Sequence, residues 1–459
     1  MKNLKLTAGL LALVLAGTMT LSSCGGNSNA AGSAGGDNEN NGGEKVKLTF
    51  ACTWVEEEMR DQTYPLDIVN KYAQDNNIEL SIDPYNSSDY QNTVFKTMAA
   101  AKNLPEIFLI NSMDMKSSVK GGLLYDLTSY LDEDTAWADS FLPGLFVETT
   151  FDDKIYGVPY QFITNECVYF NKNILSELGY ETVPAEWAEF LELCEKAKNA
   201  GYIPIALGDK DGWPLYSNLA EILCEYLCGP EWVAAIGGYT DQASYDDPKF
   251  ISVLTTIKDL NDKGYFNEDM VSIDNNTQDK AYFYNEKAAM ILGGSYTLTG
   301  LVTDCPEELI PSLGVAPTPR PAGAIDSVKA GIFTGGSGWE VAVNAENTQK
   351  QADAAVGIAK AMTGQEYARN DVEVGRIPVI KMENVGEYDA SKIPVLQDDM
   401  NKLISQAPSM TLMNQQQSGA AMSEILYKKL QEIIIGQTTP EQAAKDIQAV
   451  YEEECKTMQ

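Results

Sequence analysis

Three strand-like runs separated by two helical patterns, all within residues 45–111, constrain the fold most. Residues 45–52 (KVKLTFAC) alternate and are rich in strand formers. Residues 64–75 place Leu66, Val69 and Tyr72 at helical spacing, and residues 79–84 (ELSIDP) read as a second strand. A second helix over 90–101 carries Val94, Phe95 and Met98 on one face and stops at Leu104-Pro105. Residues 106–111 (EIFLIN) then form a near-continuous apolar run, as expected of a strand in a parallel sheet covered on both faces. The order β-α-β-α-β is the doubly wound pattern, so the fold class is α/β.

The rest of the chain continues in the same idiom. Residues 153–161 and 164–172 read as short strands, 201–207 (GYIPIAL) as a buried strand, and 289–292 and 313–318 as two more. Between them lie a helix running to Asn199 with Phe190, Leu191 and Cys194 inward, and an amphipathic helix over 250–263. A Gly-rich strand pair ends at Asn344, helices follow over 347–362 and 365–371, and the tail 394–456 is helical with a break at 406–419.

Ahead of this domain stands a different kind of sequence. Lys2 and Lys5 precede an apolar stretch from Leu6 to Leu21, closed by Leu21-Ser22-Ser23-Cys24. A positive start, a short apolar core and small residues at the cut make residues 1–23 a secretory signal peptide, too short for a comfortable membrane span. The closing tetrapeptide resembles a bacterial lipobox, which implies that Cys24 is lipidated and holds the protein, extracytoplasmic, on the cell membrane; an ordinary signal peptide with a chance cysteine is the alternative. Residues 24–44 are the lipidated Cys and its tether: the stretch 25–43 contains no Val, Ile, Leu or aromatic residue and cannot bury enough surface to fold. Such a coil reaches roughly 20–25 Å on average.

Composition narrows the function. A formal net charge of −33 repels nucleic acid and anionic headgroups. Histidine is absent, which removes the usual general base and the commonest metal ligand, so no metal centre is expected, with an all-oxygen Ca2+ site left open, and no cofactor is expected. With Cys24 set aside, cysteines 52, 167, 194, 224, 228, 305 and 455 are an odd set without zinc-ribbon spacing, read as buried small apolar side chains, with a disulfide left open.

Several stretches, in this order, then carry a family resemblance: YGVPY, YFNKNIL, VPAEWAEFLELCEKAKNAGYIPIAL, NEKAAMILGGSY, LGVAPTP, GGSGWEVAVNAEN and GRIPV. Together they resemble the extracellular solute-binding proteins of carbohydrate ABC transporters, a group similar to maltose-binding protein. The resemblance implies a two-lobed, periplasmic-binding-protein-like fold, each lobe a sheet flanked by helices, with the ligand cleft at the hinge. It implies crossings near 162, 317 and 385, giving an N-lobe of 45–162 and 318–385 and a C-lobe of 163–317 and 386–459. The implied partners are a small-molecule carbohydrate and the permease subunits of an ABC transporter, with the receptor itself a monomer and no nucleic acid involved.

A sugar presents hydroxyls around apolar C–H faces, so its binder needs aromatic faces and fixed polar side chains, placed at the carboxyl ends of sheet strands. Trp54 and Glu57 follow the first strand, although for Glu57 alone charge at a helix start is the somewhat better reading. Asn111 and Asp114 follow EIFLIN, where the family's loop supplies an acid for sugar hydroxyls. Gln161 and Asn165 flank the first crossing, with hinge hydrogen bonding as the structural alternative. Trp213 sits in a Gly-Trp-Pro loop after Asp-Lys-Asp, an unusual setting for a core Trp. Gly294 and Tyr296 fall where the family has glycines and a stacking aromatic, usually Trp, so Tyr296 is a departure that adds a polar tip. Gly336 lies in a second Gly-rich turn. The only arginines are Arg60, Arg320, Arg369 and Arg376, and no bidentate clamp for phosphate or carboxylate is evident, which favours a neutral sugar. A non-sugar solute is the alternative. A glycosidase is less favoured: it needs two carboxyls at set distances, which sequence does not show.

Overall fold

The computed structural model describes residues 45–458 apart from 60, 61, 143, 276 and 413–418, and without the side chains of Glu57, Ser405, Leu412, Thr457 and Met458. The signal segment, the tether and Cys24 lie outside the described residues.

In chain order the strands are β1 (Val46–Cys52), β2 (Ile78–Pro84), β3 (Ile107–Asn111), β4 (Thr150–Phe151), β5 (Lys154–Ile155), β6 (Val158–Pro159) and β7 (Ile163–Thr164). They continue as β8 (Cys167–Asn171), β9 (Ile203–Ala206), β10 (Ala288–Gly293), β11 (Leu313–Pro317), β12 (Phe333–Gly336), β13 (Trp339–Val343) and β14 (Met410–Leu412). β4 and β5 form a small hairpin; the others make three sheets.

The first sheet has the order β2-β1-β3-β13-β6. β1 pairs in parallel with β2 and β3, as the opening pattern requires, and β13 enters antiparallel between β3 and β6. All five residues of β3 are buried, which is what an apolar run without alternation needs: a layer on each face. On one face the helix Tyr64–Asp75 packs Val69 and Ala73 inward beside the helix Gln349–Met362. On the other, Tyr90, Phe95 and Met115 meet Phe108 and Ile110.

The second sheet has the order β11-β8-β10-β9, with β8 antiparallel to β10 and β11, and β9 parallel to β10. Its largest core joins the helices Trp187–Asn199 and Pro248–Asp262 to Ala420–Ile434 and Pro440–Met458, so the C-terminal helices return to this body. The third sheet, β14-β12-β7, lies where the chain passes between the two bodies. β7 runs into β8 of the second sheet, and β12 precedes β13 of the first.

Packing bears on where the chain crosses. Ala324, Val328 and Ile332 pack on Ile222 and Tyr226 of the second body, and Arg320 donates to the carbonyls of Ala324, Ile325 and Val328. The first body's core resumes at Trp339 and Val341, and holds Val385, whereas Leu396 and Met400 belong to the second. We therefore propose that the second crossing lies at 333–338 rather than at 317, and the third between 385 and 396. All seven described cysteines are free and six are buried; burial pushes the Cys52 thiol up to about 12, so these are packing groups rather than nucleophiles.

Candidate functional site

The loops at the carboxyl ends of the strands in the two large sheets meet. In the first body, Glu58 accepts from the Asn86 amide, the Ser87 backbone N–H and the Ser87 hydroxyl at 2.8, 2.8 and 2.9 Å, fixing the loop after β2. Ser88 in that loop donates to Asp211 of the second body at 3.2 Å. The following turn, Tyr90–Val94, is π-helical. In the second body, Asp211 is followed by a second π-helical turn, Tyr216–Ala220. Such turns are rare and recur at functional sites. The two bodies also touch where the Ser423 hydroxyl meets Met113 Sδ at 3.0 Å, and where Lys116 Nζ stands 4.6 Å from the centre of the Tyr239 ring.

Asp114 lies in the first turn of the helix Ser112–Lys120, only 5% exposed. No hydrogen-bond donor among the described residues meets its carboxylate. Burial pushes that carboxyl up to about 6, against the opposing pull of exposed Lys96. Asp209 follows β9: its Oδ1 accepts from Leu215 N at 2.9 Å, while Oδ2 is buried without a partner. Burial raises this carboxyl to about 7. The Tyr427 hydroxyl lies 3.7 Å from Met113 Sδ, and its phenol is pushed up by burial first and then by the charges of Glu221, Asp209 and Asp114.

The aromatic part of the site is in the second body. Trp213 and Tyr296 meet edge to face with centroids 5.8 Å apart, and Tyr216 lies 6.0 Å from Tyr427. The Tyr296 hydroxyl donates to Asn218 Oδ1 at 2.6 Å; Asn218 is fully buried, with its Nδ2 unpartnered.

Other residues singled out in the sequence have structural duties. Trp54 is 7% exposed and meets Phe50 edge-on at 5.1 Å, part of the first body's core. Asn111 caps the helix Ser112–Lys120, accepting from Met113 N at 3.1 Å. A Cβ at Gly294 would sit 2.3 Å from the Tyr296 ring and 2.6 Å from the Thr164 carbonyl, so glycine here admits the ring. A Cβ at Gly336 would sit 2.4 Å from Glu148 Oε1, so that glycine accommodates a buried carboxyl rather than a ligand. The Asn165 amide lies 3.5 Å from Glu221 Oε2, and Gln161 is half-buried on the link between β6 and β7. The side chain of Glu57 lies outside the described residues. Ser88, Tyr90, Asp209, Asn218, Ser423 and Tyr427 were not singled out; Asp209 alone shares a strand-end loop with Trp213 that could have revealed it.

The link between the bodies is held from both sides by carboxyls. Glu166 accepts from Thr334 N at 3.1 Å and from its hydroxyl at 2.7 Å; Glu148 accepts from Ser337 N at 2.9 Å. Ser112 Oγ lies 2.7 Å from Glu340 Oε1 and 3.3 Å from Glu148 Oε2. Burial raises all three carboxyls, Glu148 to about 7. Among the described residues no three His, Cys, Asp or Glu side chains gather closely enough to hold a metal ion.

The family described as bacterial extracellular solute-binding protein matches residues 67–384. The chain belongs to that family. This solute-binding protein is 28% identical over 152 residues to a probable sugar-binding periplasmic protein of Mesorhizobium japonicum; the match covers 33% of this chain and 36% of that protein. An uncharacterized ABC transporter extracellular-binding protein of Pyrococcus horikoshii is 30% identical over 104 residues, covering 22% and 23%. The chain thus aligns with well under half the length of these curated relatives. Among solved structures, a chitin oligosaccharide binding protein has a TM-score of 0.81 at 23% identity, covering 90% of this chain and 100% of that one. Maltose-bound MalE3 of T. maritima has a TM-score of 0.69 at 20% identity, covering 90% and 100%. These likenesses establish the two-lobed solute-binding fold. Among the described residues no helix is long and apolar enough to cross a membrane.

Proposed function

We propose that the protein is a lipid-anchored extracytoplasmic receptor that takes a sugar or oligosaccharide between its two bodies and delivers it, as a monomer and without turnover, to the permease of an ABC importer. The observation that carries the reading is the convergence, from strand ends of both bodies, of incompletely satisfied polar groups (Asp114, Asp209, Asn218) with the Trp213–Tyr296 pair. Carboxylates and amides pair with hydroxyls, and an aromatic face takes the C–H surface of a pyranose. The family assignment and the sugar-binding descriptions of several relatives support the same reading.

A thermal-shift screen of the fragment from Lys45 against neutral mono- and oligosaccharides, sugar phosphates and polyols tests it. A ligand at a hundred times its dissociation constant adds about 2.7 kcal/mol. For a body of this size that is a rise of about 3 °C. A rise with neutral sugars, and no new reducing ends from oligosaccharides, is the expected result; a rise with sugar phosphates alone overturns the sugar class. Anchoring is tested by Cys24→Ala, which should release the protein from the membrane fraction; retention of that variant refutes the lipid anchor.

A further inference from the structure

The polar groups left without partners in the cleft are not of one kind. On one edge stand acceptors: the Asp114 carboxylate, which meets no donor among the described residues, and the buried Oδ2 of Asp209. Tyr427 links them from the second body: its hydroxyl lies 3.7 Å from the Sδ of Met113, next to Asp114, and Gln431, one helical turn on, donates to the backbone carbonyl of Asp209. Elsewhere stand groups able to donate: the Nδ2 of fully buried Asn218, beside Tyr296, and the hydroxyl of fully buried Tyr90, which lies within the field of Asp114. The charged neighbour acting on Asp114 is exposed Lys96, and the one acting on Asp209 is another carboxylate, Asp211. No arginine enters this set.

A carboxylate only accepts, so a solute must bring donors to that edge. A sugar hydroxyl brings one and leaves the carboxylate charge uncompensated. An ammonium brings three, carries the opposite charge, and gains from the neighbouring Tyr427 ring. Charge-assisted bonds of this kind are about twice as strong as neutral ones. The net charge of −33 concentrates cations and excludes anions around the whole surface. The Asn218 amide and the Trp213–Tyr296 pair remain for the hydroxyls and C–H face of a sugar ring.

We propose that the solute of this cleft carries a protonated amine, as an amino sugar does, with its ammonium seated against Asp114 and Asp209 beside Tyr427 and its sugar ring against Trp213 and Tyr296. This rests on the sugar-receptor reading and narrows it. The test is calorimetric titration of the purified full-length chain with matched sets: glucosamine, galactosamine and the β-1,4-linked di- and trimers of glucosamine, each against its hydroxyl and its N-acetylated counterpart. In at least one set the amine form should bind about tenfold or more tighter than both counterparts, the range that one charge-assisted contact supplies. Asp114→Asn and Asp209→Asn, checked for an unchanged circular dichroism spectrum, should each bring that ratio toward one. Should the hydroxyl or N-acetylated form bind as tightly as the amine or tighter, the amine inference is overturned while the sugar-receptor reading stands. Absence of binding in every set overturns the amine inference and counts against the sugar class as well.

Discussion

Glu148→Gln should stabilise the protein in a pH-dependent way. Glu148 and Glu340 are both buried and share the single hydroxyl of Ser112 between them, at 3.3 and 2.7 Å, and Glu148 Oε1 and Glu340 Oε2 have no partner. Burial pushes the Glu148 carboxyl from an ordinary 4.5 up to about 7, and Glu340, raised further by Glu148, stands well above its ordinary range. A raised carboxyl contributes stability that is fully present below the unfolded value and is lost as pH rises through the folded one. The window is therefore from about 4.5 to about 7. At about 1.4 kcal/mol per tenfold in proton affinity, the loss is on the order of 3 kcal/mol. A glutamine keeps an oxygen for Ser337 N, offers an N–H to Glu340, and carries no charge to desolvate. The variant should match the parent at pH 4.5 and exceed it at pH 8 by up to about 3 kcal/mol, read as the midpoint difference in urea unfolding at each pH. Because Asp209, Asp279 and Asp371 are also raised, the parent's own slope is not diagnostic. A parent–variant difference that stays constant across the window would refute the reasoning.

Gly294→Ala forces a Cβ into the Tyr296 ring at 2.3 Å and toward the Thr164 carbonyl at 2.6 Å, so overpacking should cost about 1–3 kcal/mol and weaken solute binding, read by thermal melting and titration. Tyr64→Phe removes the hydroxyl that donates to Asp371 at 2.5 Å and accepts from Arg376 at 3.0 Å; it leaves buried Asp371 short of a donor and should cost about 1–3 kcal/mol in urea unfolding at pH 8. Its effect should shrink at pH 5, where Asp371, already raised to about 7, is protonated.

What the sequence reveals and what it hides follow from how far apart the interacting residues lie. The strands and helices of residues 45–111 are legible because their patterns are local: IFLIN is buried on both faces and reads as such. The insertion of β13 between β3 and β6 pairs residues more than 180 positions apart, and no local pattern encodes it. Trp213 and Tyr296 could each be picked out as oddly placed aromatics, and the fold brings them together. Asn111, Gly294 and Gly336 drew notice for real constraints of another kind: a helix cap, a ring and a buried carboxyl. Tyr427 stayed hidden because AAMSEILYKKLQEII is an ordinary amphipathic helix, and only the return of the C-terminal helices to the second body brings its hydroxyl to Met113, next to Asp114. The π-helical turns at Tyr90 and Tyr216 have no sequence signature to read.

The central claim, that solute is held by both bodies at once, is tested most directly by titrating one binding sugar into the parent protein, Trp213→Ala and Asp114→Ala, with circular dichroism as the check on folding. Each variant removes a contact from a different body. The account predicts that each loses at least about tenfold in affinity, or roughly 1.4 kcal/mol. Parental affinity in either folded variant would contradict it.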